Sequence, residues 1–477
     1  MKAALEDGQQ SWSAPALQQV VAEAQDWLQA GNTRVLASVL DNSAAFVALD
    51  EALMAGERVH VPLPPFFTAA QMQHALAATG ADTLVTEPAL AQAWQGLPWQ
   101  PVRLAGRDLV STHLPSTPHP LPPGTTKITF TSGTTGSPKG VCLSRQAMQN
   151  VAQGLITALG PLGIERHLNA LPFSVLLENI AGLMAPRQQG ITLVTLGMQA
   201  LGLKGSSQFD AAVFHAAIKA SRANSLILLP QMLRAWCGYL QHSGQRAPEG
   251  LRFVAVGGAA VGASLLLAAH SLGIPAYEGY GLSEGASVQT LNLPGASKPG
   301  SVGRALAHAQ IRCAADGEIE VSGSLFNGYL GDTTAPPAWW PTGDLGSIDA
   351  DGFIQVSGRK KHVLITAFGR NVSPEWVETS LCSQATILQA VVFGDGEPSL
   401  LAVLWPMSPD LSDAALQAAV DRCNSQLPDY ARIGRWTRAR AAFHVSTGLA
   451  TANGRPQRPA IWAQHADLLS TLTVTQA

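Results

Sequence analysis

Charge is scarce in this chain. Only 13% of its 477 residues are Asp, Glu, Lys or Arg, and the net charge is -3. A nucleic-acid partner requires a basic face, which this balance does not supply. Cysteine is scarce too: Cys142, Cys237, Cys313, Cys382 and Cys423 stand singly. An odd, dispersed set argues against a disulfide framework, and without C-x-x-C or His-rich spacing structural zinc has no ligands. No apolar run reaches transmembrane length. The opening residues, Met1 to Asp7, carry acids and no apolar stretch, so they do not read as a secretory signal. These absences lead us to expect a cytoplasmic protein with no integral membrane segment. No internal repeat and no G-x-G-x-x-G is present. Hydrophobic residues, by contrast, make up 46%. That suits a well-buried globular chain, and at this length two or more domains are expected.

The first part alternates strand and helix patterns. Residues 16–30 place Leu17, Val20, Val21, Ala24 and Leu28 on one helical face. Runs at 35–40, 58–63 and 83–86 read as strands, with helices expected at 44–54 and 68–79 between them. This order implies parallel β-α-β units. Residues 111–124 turn to Pro, Ser, Thr and His, a loop in which His113 and His119 read as solvated.

The chain is organised around Thr129–Gly140, T-F-T-S-G-T-T-G-S-P-K-G. It comes after a short alternating run and precedes a helix that Ser144 is placed to cap. Glycines let backbone N–H groups approach an anion, hydroxyls add donors and Lys139 adds a charge. Such a loop can cradle a polyphosphate. It is not a Walker A loop, because Lys139 stands between Pro138 and Gly140.

In its order of residues this loop resembles the phosphate-binding signature of the AMP-forming acyl-adenylating superfamily. That group spans acyl-CoA synthetases, nonribosomal-peptide adenylation domains and luciferases, and the chain looks most like the bacterial acyl-CoA synthetases. Further segments match in order. Gly257-Gly258-Ala259 resembles the turn that approaches adenine. Glu278-Gly279-Tyr280-Gly281-Leu282-Ser283-Glu284 resembles the Y-G-x-[ST]-E motif, and Thr342-Gly343-Asp344 the T-G-D motif. Gly358-Arg359-Lys360-Lys361 marks the junction before a small C-terminal domain.

The resemblance implies an α/β fold. Its large N-terminal domain, residues 1–358, would hold α/β-layered subdomains and a β-barrel-like one. Its small mobile α+β domain, residues 359–477, would turn at a hinge near Lys361. It implies ATP, Mg²⁺ and CoA as cofactors, and CoA or the phosphopantetheine of a carrier protein as acceptor. By the same resemblance Thr131, Ser132, Gly133, Thr134, Thr135, Gly136 and Lys139 hold phosphates. Gly258, Ala259, Glu278, Gly279, Tyr280, Gly281, Ser283, Asp344 and Arg359 hold the nucleotide. Glu284 and Thr131 hold the metal, and Phe173, Val175 and Gly257 border the acyl group. Lys139, Glu284 and Arg455 are the implied catalytic set.

Two departures stand out. Val175 falls where many relatives place a histidine, and Arg455 where they carry a lysine. Arginine keeps the charge but presents a bulkier planar fork. The apolar segments 171–177 and 226–236 favour a fatty or other apolar acid. Rival readings are a degenerate binder of nucleotide or acyl-AMP, and an adenylating enzyme such as a β-lactone synthetase. Gly281–Gly285 also fits G-x-S-x-G, the α/β-hydrolase elbow, although residues 286–293 after it are β-leaning and soon meet Pro294.

Overall fold

A computed structural model describes residues 3–473 apart from 95, 118, 132–138, 205–207 and 452–453. Two large sheets organise the N-terminal part. Among the described residues the first has eight strands, ordered Gly328–Tyr329, Lys139–Ser144, Thr125–Thr131, Val59–Pro62, Val35–Val39, Thr83–Thr86, Arg107–His113 and Gln100–Leu104. Its centre is parallel, with Val35 opposite Val59 and Leu36 opposite Thr83. Every residue of Val35–Val39 is buried, as befits a strand covered on both faces. The helix Ala14–Ala30 buries the stripe read from the sequence. Ser43 caps Ala44–Ala55, its hydroxyl accepting from Phe46 N at 3.3 Å.

The second sheet places Ser225–Leu228, Phe253–Val256 and Ala276–Leu282 side by side. Leu228 pairs with Val256, and Val256 with Glu278. The parallel pairing of the three strands therefore ends level. Leu229, Gly257–Gly258 and Gly279–Tyr280 all open at one edge, the carboxyl end where ligands of open α/β sheets bind. Ala276–Leu282 then turns through Ser283–Gly285 into the antiparallel strand Ser287–Leu291. Ala286 and Ser287 take positive φ, 54° and 105°, so the corner is strained in two non-glycine residues.

Antiparallel strands Ala309–Cys313, Glu318–Gly323, Trp340–Ile348 and Ile354–Arg359 form a third sheet, which stands where the resemblance implies a barrel-like subdomain. Beyond it, Ile387–Phe393, Leu400–Pro406 and Ile433–Arg438 form a smaller sheet. Around it are Pro374–Cys382, Asp413–Gln426 and Arg458–Thr473. Two apolar clusters flank that sheet, one on Leu400, Ala402 and Leu404, the other on Leu401 and Val403. Ser373 stands at the N-cap of Pro374–Cys382, but its hydroxyl donates to Glu375 Oε2 instead of accepting from the helix. Among the described residues no helix is long and apolar enough to cross a membrane.

Candidate active site

The glycine- and hydroxyl-rich loop hangs between two paired strands. Thr131 and Lys139 are register partners where Thr125–Thr131 ends and Lys139–Ser144 begins. Ser132, Gly133, Thr134, Thr135 and Gly136 lie outside the described residues. Ser144 caps the next helix, accepting from Ala147 N at 3.1 Å.

The short strand Gly328–Tyr329 joins this sheet beside Lys139–Ser144, with Tyr329 opposite Val141. That pairing brings Tyr329 under Lys139, whose Nζ lies 5.1 Å from the ring centroid. The Tyr329 hydroxyl donates to Glu284 Oε1 at 2.8 Å. Burial and the Glu284 carboxylate push this phenol well above its ordinary pKa. Tyr329 thus ties Lys139 to the Glu284 carboxylate. The sequence showed it only as an aromatic residue after a glycine.

Asp344 lies on Trp340–Ile348 and Arg359 on the adjacent Ile354–Arg359, as direct register partners. Arg359 Nε reaches Asp344 Oδ1 at 2.9 Å, and the Tyr280 hydroxyl donates to Asp344 Oδ2 at 2.7 Å. Burial raises the Asp344 carboxyl above its usual range, against the pull of Arg359. Arg455 Nη2 donates to the Gly258 carbonyl at 3.2 Å. Desolvation and then the Arg359 charge hold Arg455 below its ordinary value, while Asp344 and Glu284 oppose this. Lys361 is likewise lowered, by desolvation and then by Arg359 and Arg455, with Lys139 adding to it. Lys139, Arg359, Lys361 and Arg455 therefore share one electrostatic neighbourhood. Like charges gathered this way are stabilised by a multivalent anion.

Glu278 is buried, accepts from Val261 N at 3.0 Å, and is pushed by burial up to about 7. A carboxyl neutral for part of the working range can donate as well as accept. Gly279 and Gly281 lie in Ala276–Leu282, packed on the backbone of Ser287–Leu291. Ser283 opens the helical turn that carries Glu284. That turn leads into a strand, which removes the hydrolase elbow. Asp344 and His362, which follow Ser283 in the order a hydrolase triad would need, are also engaged elsewhere: His362 Nδ1 lies 2.5 Å from Glu375 and Asp344 holds Arg359.

No group of three His, Cys, Asp or Glu fit for a metal occurs among the described residues. Glu284 offers a single carboxylate. Mg²⁺ commonly rests on one or two carboxylates together with phosphate oxygens and waters, so the residues fit the ion in company with a polyphosphate.

The acyl border needs one correction. Phe173 packs on Phe46, ring centroids 5.2 Å apart, within the core of the first helices. Val175 is half-buried. A cavity of about 50 Å³ lies further along, between Leu155–Leu159 on one side and Ile227, Phe253 and Ala255 on the other. Its wall includes Leu177 and Ala181, from the turn and π-helix beyond Val175.

Near Lys361, a Cβ at Gly358 would collide with Ser373 Oγ and stand 2.9 Å from Glu375 Oε2. The contact between Ile354–Arg359 and Pro374–Cys382 therefore depends on that glycine.

Comparison with known proteins matches residues 1–330 to a family described as AMP-binding enzyme, and residues 361–474 to the AMP-binding enzyme C-terminal domain. A long-chain-fatty-acid–CoA ligase of Mycobacterium bovis is 40% identical over 154 residues, 31% of this chain and 26% of that protein. A 2-succinylbenzoate–CoA ligase of Geobacillus is 33% identical over 287 residues, 56% of this chain and 55% of its own. The chain thus spans about a quarter and about half of the length of these relatives. The solved o-succinylbenzoate coenzyme A synthetase of Bacillus subtilis, in complex with ATP and magnesium, shares the fold at TM-score 0.75. It is 22% identical over 96% of each chain.

Proposed function

Because this chain belongs to the AMP-binding enzyme family, we propose that it activates a carboxylic acid with ATP and passes the acyl group to a thiol. The observation that carries the reading is the convergence of Lys139, Arg359 and Arg455 with Glu284 and Asp344 beside Gly258 and Tyr280. An acid oxygen attacks the α-phosphorus as the bond to the bridging oxygen breaks. Acyl-AMP forms and pyrophosphate leaves. Lys139 and the hydroxyls of the 131–136 segment take the phosphates. Asp344 takes the ribose hydroxyls, since a carboxylate accepts about four hydrogen bonds and Arg359 and Tyr280 take one on each oxygen. Arg455 offsets the charge growing at the α-phosphate. Glu284, with Thr131, would hold Mg²⁺, whose part is to neutralise phosphate oxygens. Catalysis is positioning and electrostatic stabilisation.

The second step comes after rotation of residues 359–477 about Lys361, which withdraws Arg455 and brings the loop near Phe368 to the site. Phe368 is 76% exposed, placed to meet a partner surface instead of a core. We take CoA as the acceptor, in keeping with the CoA ligases among its relatives, over a carrier protein. The acid is apolar in its main body, because the adjacent cavity wall is.

Pyrophosphate release with ATP and Mg²⁺ across fatty, aryl and amino acids, with and without CoA, tests this. Turnover that rises with CoA supports it. Arg455→Ala is expected to lower the rate by about 10²–10³, and an unchanged rate would remove Arg455 from its role. Arginine in the lysine's place favours one other reading, a binder without turnover. Silence across the panel with ATP still bound would select that reading.

A further inference from the structure

The cavity beside the proposed reaction centre has one polar end. Its near wall includes Leu177, Ala255 and Val288. Ala255 lies two residues before Gly257, and a Cβ at Gly257 would stand 4.0 Å from Leu177. At the far end His167 and Ser225 face each other from paired strands, Ser225 being opposite Phe253. The stretch from Phe253 to Gly257 spans about 13 Å at strand rise. Apart from His167, Ser225 and Gln189, the side chains that line it are apolar.

We propose that this cavity receives the distal end of the acid, and that His167, held by Ser225, recognises a hydroxyl there. The substrate class is then a slender aliphatic acid with a terminal hydroxyl. The inference rests on the adenylation reading for where the carboxyl group sits.

Three observations support it. The cavity is small: a cavity of roughly 150 Å³ takes benzene, and at about 50 Å³ this one suits a chain end better than a ring. His167 is 4% exposed, its Nδ1 lies 2.8 Å from Ser225 Oγ, and its Nε2 has no hydrogen-bond partner in the protein. A buried polar atom left this way is costly, so it marks a place where a partner group is gained. A hydroxyl both donates and accepts, so it serves either tautomer of the imidazole.

Space around the imidazole is also kept open. Glu178 Oε1 lies 3.7 Å from His167 Nε2, and Glu178 Oε2 is itself unpartnered. Both groups sit over Gly182, where a Cβ would stand 3.0 Å from His167 Nε2. Glu178 and Gly182 belong to a π-helix, Glu178–Met184, a feature often found at functional sites. A plain hydrocarbon tail would leave His167 Nε2 unpaired, which is how a site that bonds a substrate hydroxyl rejects the analogue lacking it.

The test is calorimetric titration of the full chain, alone and with AMP, using a medium-length straight-chain acid and its ω-hydroxy counterpart. Wild type is expected to bind the hydroxy acid about tenfold tighter. His167→Leu should abolish that preference and His167→Gln should retain part of it, with thermal unfolding confirming that both fold. Equal binding of the two acids overturns the proposal, as does binding of neither or a preference that survives His167→Leu. Pyrophosphate release is scored separately. If the hydroxy preference holds while no acid releases pyrophosphate, the cavity assignment stands and the adenylation reading falls.

Discussion

Glu178 and Asn179 are neighbours in the chain and face different company. Asn179 completes a closed network. Lys127 is 1% exposed and bonds both Asn179 and Asp50, lying 2.8 Å from Asp50 Oδ1. Asp50 Oδ1 takes His60 Nδ1 at 2.5 Å, and His60 Nε2 meets Ser38 Oγ at 2.8 Å. Ser38, His60 and Asp50 even reproduce the order of a nucleophile relay, but all are buried in the core and Lys127 holds the aspartate. Glu178 belongs to an open cluster. It takes one bond from Asn169 at 2.9 Å, while Glu178 Oε2 and His167 Nε2 have no hydrogen-bond partner in the protein; elsewhere, the buried Ser174 Oγ has none either. Satisfied buried charge fixes an arrangement of elements, and unsatisfied buried polarity waits for a group from outside.

The sharpest way to break this contrast is Lys127→Met. It leaves Asp50 buried and uncompensated, and should cost roughly 3–5 kcal/mol in urea unfolding. Adding Asp50→Asn to it should recover much of the loss, and simple additivity of the two changes would refute a coupled network. Next comes acid. Burial pushes Asp50 up, but Lys127 and His60 overcome it and hold the carboxyl well below its usual 3.8. Its stabilisation is therefore present above that value and lost as pH falls. His60 is lowered from 6.5 by burial, so protonation of the unfolded chain erodes stability as pH drops below 6.5. Wild-type stability should decline in both windows, and His60→Gln should flatten the upper one in pH-dependent thermal unfolding. Gly182→Ala probes the open cluster. Its new methyl would crowd Glu178 and His167, for about 1–3 kcal/mol in the same urea assay. Ser174→Ala should change stability by no more than about 0.5 kcal/mol, since no protein bond is lost. A larger loss would show that Ser174 has a partner.

Much of this was legible in the sequence. The parallel strands of the first sheet, the stripe of Ala14–Ala30 and the Ser144 cap come from period and capping chemistry. The order of short motifs pointed to the residues that converge around Tyr280. Tyr329 was not legible, because its importance comes from strand pairing across nearly two hundred positions, from Val141 to Tyr329. Lys127 read as an ordinary polar residue in an alternating run, since nothing local announces a counter-ion contributed by Asp50. Phe173 was assigned to the acyl border by resemblance alone, but the helix carrying Phe46 claims it for the core.

Gly358 carries a lesson in mechanics. Its strand and the helix beginning at Pro374 touch only because a hydrogen stands where a methyl would strike Ser373. The residue works as clearance in a bearing, where two surfaces must come within a fraction of an atom and still separate cleanly. Any side chain there would act as a wedge. It would hold the C-terminal part at a fixed tilt and leave Arg455 short of the Gly258 carbonyl it now reaches.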